Sequence, residues 1–193
     1  MKIVEVFRSI QGEGKWIGTD VIFIRLPGCN LKCSFCDTDW SSTKEMTYED
    51  LNRELHKYPI TSHVVITGGE PTINPDFRTL CHFLRSKGYY VHVETNGTKN
   101  IPYNTADWIT VSPKADSNYE CKVYNASEIK LVVTPDFDYQ DERVQALKDK
   151  GCTIWLQPEG SRMKEMWKKA YDIVMKDPYF RVGVQLHKLI EVQ

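Results

Sequence analysis

Three cysteines fall within eight residues of one another in Gly28-Cys29-Asn30-Leu31-Lys32-Cys33-Ser34-Phe35-Cys36, spaced C-x3-C-x2-C. Three thiolates on one short loop can converge on a single centre. A structural zinc site usually takes four protein ligands, most often as two separated pairs. No second cysteine or histidine pair follows here at such a spacing. Iron–sulfur clusters are held by cysteine thiolates, normally four, and a cluster held by three has one iron free for a small-molecule ligand. Two plainer readings stand beside this one. A distant His56, His63 or His187 could complete a three-cysteine zinc site, or the three cysteines could be buried and idle.

The elements that must position this loop alternate in type. Val21 to Leu26 is a β-branched apolar run ending at Pro27-Gly28 and predicts a buried strand directly before the cysteines. Thr47 is a plausible N-cap for a helix carrying Leu51 and Leu55. His63 to Thr67 predicts a second buried strand. Phe77, Leu80, Phe83 and Leu84 mark a helix that Gly88 ends. Further strands are expected over residues 90–94, 108–111, 129–133, 153–156 and 181–185, with helices over 140–150 and 164–175. Residues 2–8 could add an edge strand. Strands alternating with helices imply βα units, a mostly parallel sheet and right-handed crossovers. A full eight-unit barrel needs about 250 residues, so 193 residues favour a compact, partial, open βα barrel. Ligands in such sheets sit at the C-terminal ends of the strands, where the Gly, Cys, Glu and Ser-Pro-Lys features cluster.

Composition narrows the function classes. Hydrophobic residues make up 41% and charged residues 26%, with a net charge of −1. These values fit one globular domain over residues 1–193 and exclude disordered and fibrous classes. They give no electrostatic reason to expect a nucleic acid. No apolar run approaches the roughly 20 residues that span a bilayer, and the start does not resemble a signal peptide. The expectation is a cytoplasmic protein with reduced cysteines and no membrane partner.

The C-x3-C-x2-C loop after the first strand of a partial βα barrel resembles the radical S-adenosylmethionine (SAM) superfamily. Gly68-Gly69-Glu70-Pro71, at the end of the second buried strand, matches a second signature of that superfamily. Glycines let the backbone approach a ligand, and a carboxylate can hold a cationic amine. The resemblance implies a 4Fe–4S cluster on Cys29, Cys33 and Cys36. SAM would bind the open iron and yield a 5′-deoxyadenosyl radical on one-electron cleavage.

Ordered matches from residue 5 to about residue 189 narrow the resemblance to the 7-carboxy-7-deazaguanine synthase family of queuosine and 7-deazapurine biosynthesis. They are Ser9-Ile10-Gln11-Gly12-Glu13-Gly14, Arg25, Cys36-Asp37-Thr38, Thr67, Glu94-Thr95-Asn96-Gly97, Ser112-Pro113-Lys114, Gln157-Pro158-Glu159-Gly160 and Gln185-Leu186-His187-Lys188. The family implies a lyase that converts 6-carboxytetrahydropterin to 7-carboxy-7-deazaguanine with loss of ammonia, using SAM catalytically. It implies SAM contacts from Phe35, Cys36, Asp37, Gly69, Glu70, Ser112, Pro113, Lys114, Gln157, Pro158, Glu159 and Gly160. Substrate contacts would come from Ile10, Gln11, Gly12, Glu13, Arg25, Thr67, Glu94 and His187, and Thr38 would support Mg2+. A flavodoxin-like or ferredoxin-like reductant and a homodimer are implied partners. Two departures stand out. The cysteine loop is short, and the chain ends in Ile190-Glu191-Val192-Gln193 where many members end in a substrate-contacting proline.

A glycyl-radical enzyme activating protein is the nearest rival, and a non-catalytic zinc-binding module is the rival from another class. Individual residues have plain readings too. Arg25 could sit in an ordinary buried ion pair, Glu13 in an exposed turn, Lys114 in a solvated loop. Cys81 and Cys152 read as small buried hydrophobes and Cys121 as a surface thiol. Trp16, Trp40, Trp108, Trp155 and Trp167 are spread along the chain, so no base-stacking platform is expected. Lys164, Lys168 and Lys169 read as a solvated helix face.

Overall fold

A computed structural model describes all residues, Met1–Gln193. Ten strands and five α-helices follow in the order β1 (Lys2–Ile3), β2 (Glu5–Ile10), β3 (Asp20–Leu26), β4 (Lys44–Glu45), α1 (Tyr48–Leu55), β5 (His63–Gly68), α2 (Phe77–Ser86), β6 (Tyr90–Thr95), β7 (Trp108–Val111), β8 (Glu128–Val133), α3 (Glu142–Ala146), β9 (Thr153–Pro158), α4 (Met163–Lys176), β10 (Phe180–Val182) and α5 (Leu186–Leu189). Eight strands form one sheet ordered β10-β9-β8-β7-β6-β5-β3-β2. Every pairing is parallel except β2 with β3. The edges β2 and β10 do not pair, so the barrel is open.

Strand periodicity of two sorts the residues into layers. On β3, β5, β6, β8 and β9 one set points outward and is fully buried against helices: Ile22, Ile24, Val64, Ile66, Val91, Val93, Ile129, Leu131, Ile154 and Leu156. Phe77, Leu80 and Leu84 of α2 and Met166, Ala170 and Ile173 of α4 cover this layer. Together they belong to one apolar cluster of 31 residues. The alternate set faces the inside of the open barrel and is largely polar: Arg25, Thr67, His92, Glu94, Thr110, Glu128, Lys130 and Gln157. The apolar layer holds the fold together and leaves the interior free for polar work.

Local chemistry explains the ends. Thr47 caps α1 by accepting from the Asp50 amide at 3.1 Å, and the Asp50 carboxylate accepts from the Thr47 amide at 2.9 Å, a reciprocal capping box. Gly151 has φ +68° and ends the 140–150 segment. That segment is not one helix but α3 followed by a tighter 3-10 turn over Leu147–Lys150. The strand expected over 181–185 stops at Val182, and Gln185 sits at the start of α5 with its side chain donating to Glu13. Residues 2–8 split into β1 and β2, and β1 pairs antiparallel with β4, which lacks any clear pattern in the sequence.

The C-terminal segment crosses the opening of the barrel. The Leu186 amide donates to the Gly12 carbonyl at 2.9 Å, and Ser9 Oγ donates to the Gln193 carbonyl. A Cβ on Gly12 would collide with His187 Nδ1, so only glycine admits His187 at this seam. No helix is long and apolar enough to cross a membrane.

Three plain expectations change. Trp16 and Trp108 are not apart: their rings meet edge to face at 5.7 Å, beside His63 and Tyr90 at the N-terminal strand ends. Cys121 is half-buried and packs against the core, so it is not a surface thiol. Lys169 is tied to the Thr134 and Pro135 carbonyls at 3.0 and 2.7 Å, not simply solvated.

Candidate active site

A cavity of about 770 Å³ opens at the C-terminal ends of the strands. One side is the loop after β3. Cys29, Cys33 and Cys36 all line it, together with Phe35, Asp37 and Thr38. The three thiols are not drawn around a single ion. The loop makes few internal bonds: the Leu31 amide donates to Cys29 Sγ at 3.4 Å, and the Cys36 amide to the Cys33 carbonyl at 3.1 Å. Burial, with Asp116 beside it, pushes the Cys33 thiol up to about 12. A bound metal centre would reverse this, because a coordinating thiol is deprotonated by the metal's charge.

Glycine lets the β5 end pack beneath this loop. A Cβ on Gly69 would collide with the Gly28 carbonyl oxygen and lie 2.8 Å from Cys29 Cβ. Asn30 reaches the loop after β6, donating to Thr98 Oγ1 at 2.9 Å and accepting from Asn96 Nδ2 at 3.0 Å. Across the cavity, Ser112, Lys114, Gln157, Pro158, Glu159 and Gly160 come from the ends of β7 and β9. Lys114 donates to Ser112 Oγ, and burial with the charge of Lys130 lowers its ammonium to about 8. Lys188 of α5 donates to Asp37 Oδ2 at 2.5 Å, tying the C-terminal segment to the cysteine loop.

The other side of the cavity is a charged floor. Gln11, Glu13, Glu94, Lys130 and Gln185 meet there from four separate segments: the turn after β2, β6, β8 and the start of α5. Gln11 Nε2 donates to Glu94 Oε1 at 2.9 Å, Gln185 Nε2 to Glu13 Oε1 at 2.6 Å, and Lys130 Nζ to Glu94 Oε2 at 3.4 Å and to Glu13 Oε2. Burial works against the charge on Glu94, but Lys130, His92 and the bond from Gln11 outweigh it and hold the carboxyl at about 2. At the rim, Arg25 Nε donates to Glu5 Oε1 at 2.7 Å, leaving its terminal amines to the cavity. Gln193 Nε2 donates to Glu5 Oε2 at 2.8 Å.

Comparisons with known proteins place this geometry. The radical SAM superfamily profile matches residues 23–158. The chain is 38% identical to the 7-carboxy-7-deazaguanine synthase of Bacteroides thetaiotaomicron over 192 residues, covering 100% of this chain and 98% of that protein. It is 37% identical to the enzyme of that name from Aquifex aeolicus, over 98% of this chain and 93% of the relative. The chain belongs to the radical SAM superfamily and, within it, to the 7-carboxy-7-deazaguanine synthases. The crystal structure of QueE from Escherichia coli overlays with a TM-score of 0.76 at 28% identity, covering 96% of this chain and 94% of that one. Membership in the radical SAM superfamily brings a 4Fe–4S cluster and SAM as cofactors.

This synthase has a donor set that fits them. Three thiols on one loop line a cavity that also contains Gln157 and Gln185, whose buried Oε1 atoms have no hydrogen-bond partner. Buried acceptors of that kind normally find a donor, and a polar cofactor or substrate would supply one.

Most residues named from the sequence meet in this one cavity. Three do not line it. Gly12 lies at the seam under His187. Pro113 is buried between Ser112 and Lys114. Glu70 lies behind the lining: its fully buried carboxylate accepts from Thr72 N at 3.0 Å, Thr72 Oγ1 at 2.5 Å, Thr95 Oγ1 at 2.7 Å and Asn96 N at 2.5 Å. With four protein donors it braces the end of β5 against the end of β6. The plain reading of Arg25 also holds in part, since it sits in an ion pair with Glu5. Glu13 is not in an exposed turn, however; its side chain is 12% exposed. Lys114 is not in a solvated loop but lines the cavity.

Sequence reasoning missed Lys130, Glu5 and Gln193, and assigned no role to Gln185 or Lys188. For Lys130 a signal existed. It is a charge flanked on both sides by apolar residues in the strand Glu-Ile-Lys-Leu-Val-Val, the same anomaly that singles out Arg25 in β3.

Proposed function

We propose that this chain, as a single radical SAM domain over residues 1–193, converts 6-carboxytetrahydropterin to 7-carboxy-7-deazaguanine. The elements of ammonia leave and nothing else does, so the reaction is redox-neutral and SAM can be returned unchanged. The observation that carries this reading is the pairing, in one cavity, of the three-cysteine loop with a buried carboxylate floor and a rim arginine.

The cluster and SAM supply the radical chemistry when bound. Cys29, Cys33 and Cys36 would hold the cluster, with Phe35, Cys36, Asp37, Gly69, Ser112, Lys114 and the Gln157–Gly160 segment around SAM. The chain's own residues bind and orient the pterin. Arg25 offers a fork for the 6-carboxylate. Glu13 and Glu94 accept from the ring's amide and amino N–H groups. Gln11, Ile10, Thr67 and His187 close the cavity around the ring. Thr38 presents a hard oxygen where Mg2+ would bind together with substrate oxygens and water. An interior of ionised side chains suits a small polar heterocycle better than the peptide segment a glycyl-radical activator would take. The same reading includes a homodimer in the cytoplasm, a flavodoxin-like or ferredoxin-like reductant, and no nucleic-acid or membrane partner.

The test is anaerobic incubation of the iron-loaded protein with SAM, Mg2+, a reductant and 6-carboxytetrahydropterin. Product of the mass of 7-carboxy-7-deazaguanine, with one ammonia per product, is expected. A colourless zinc-loaded protein, or loaded protein that never forms this product, overturns the reading.

A further inference from the structure

Lys130 lies in the middle of β8 between Ile129 and Leu131, both fully buried in the outer apolar layer. Strand alternation therefore turns it into the barrel, where its side chain is 10% exposed. A buried ammonium is tolerated only when paired and hydrogen-bonded. Its partners are two carboxylates from distant parts of the chain: Glu13, before the 3-10 turn at Gly14–Trp16, and Glu94, near the end of β6. All four carboxylate oxygens are held. Lys130 takes one from each group, and Gln185 and Gln11 take the other two.

Two consequences follow from this arrangement. The carboxylates cannot rotate, and the ammonium between them offsets their crowding in a small buried space. An ammonium has three N–H donors, and Lys130 commits two of them to Glu13 and Glu94 while its head lines the cavity. The floor thus presents acceptor, donor, acceptor in a row, with two negative charges against one positive. That pattern complements a flat heterocycle that shows N–H donors on both sides of a carbonyl oxygen.

Resting on the pterin reading above, we propose that Lys130 is a positioning and specificity-determining residue that fixes Glu13 and Glu94 as a ring-reading row, separate from carboxylate recognition at Arg25. His92, Lys114 and His187 are the other titratable neighbours of this group. Glu13 and Glu94 are the ones it touches.

The test measures binding of 6-carboxytetrahydropterin, and of a tetrahydropterin lacking the carboxylate, to iron-loaded, SAM-bound protein. Lys130→Arg keeps the charge and the fold but re-aims the donors. Its Kd should rise about tenfold for both ligands, with KM rising in step, while iron content and SAM affinity stay at wild-type levels. Lys130→Met with Glu94→Gln keeps the net charge of the floor and guards against unfolding. It should also weaken both ligands, by about 30-fold. Lys130→Met alone should make binding fall as pH drops from 8 to 6, because Glu94 loses the charge that holds its carboxyl low. Wild-type affinity in both Lys130→Arg and the double variant overturns the proposal. So does a loss seen only with the carboxylated ligand, which would place Lys130 with Arg25. If the wild-type protein binds neither pterin, the pterin reading itself fails, and that outcome is distinct from the others.

Discussion

The two sides of the cavity are built in opposite ways. The cluster loop is a stretch of contiguous sequence, Cys29 to Thr38, with few internal hydrogen bonds and an exposed Cys36. The charged floor, proposed above to read the pterin, gathers Gln11, Glu13, Glu94, Lys130 and Gln185 from across the chain, on strands or pinned to them, with every carboxylate oxygen occupied. A cluster tolerates a loose loop because metal–sulfur bonds order it on binding. Ring recognition has no such help, so its geometry must exist beforehand. Radical generation is thus carried by a portable motif, and choice of substrate by the barrel interior.

The largest expected effect separates the two sides outright. Cys33→Ala should abolish iron loading and SAM cleavage, read as loss of the brown chromophore, yet leave pterin affinity near wild type. A parallel collapse of pterin binding would break the separation. Next comes the brace between them. Glu70→Ala strips a fully buried acceptor from four donors and should cost about 4 kcal/mol of stability in chemical denaturation. A stability change under about 1 kcal/mol, together with lost SAM affinity, would give Glu70 a ligand-contacting role instead.

Beneath the pterin floor, burial lowers His92 from 6.5 to about 4, and its Nε2 lies 2.8 Å from Thr110 Oγ1. The unfolded chain therefore binds the proton first. The contribution of neutral His92 is complete above pH 6.5 and is lost as pH falls toward 4, by about 3 kcal/mol in all. His92→Gln should flatten the acid limb of the stability curve over that window. An unchanged acid limb would remove His92 as its cause. The smallest effect lies at the rim, where Glu5 competes with a substrate carboxylate for the largely buried Arg25. Glu5→Gln should tighten binding of 6-carboxytetrahydropterin about threefold and leave a carboxylate-free tetrahydropterin unaffected, as titration of both ligands would reveal.

The same contrast explains which parts of the molecule are legible in its amino-acid sequence. The cofactor side is legible because its chemistry is local: three thiols, a Gly-Gly turn and a strand that ends at Pro27-Gly28. The parallel strands are legible because they are short, rich in β-branched residues and bounded by Gly, Pro and polar turns. The floor is only half legible. Gln11, Glu13 and Glu94 come from resemblance, but nothing local links residue 13 to residue 130, and their pairing is a product of strand order. Glu70 is half legible for a related reason. A carboxylate after two glycines looks available to a ligand, and only the neighbouring β6 end shows that Thr95 and Asn96 donate to it. The pairing of β1 with β4 is invisible because two-residue strands carry no periodicity.

The central claim is that cofactor chemistry here serves a pterin and returns SAM intact. The direct measurement is the ratio of 7-carboxy-7-deazaguanine formed to SAM lost in one anaerobic, magnesium-containing reaction with 6-carboxytetrahydropterin. The account predicts many products per SAM lost. Stoichiometric conversion of SAM to 5′-deoxyadenosine with no deazaguanine product would contradict it.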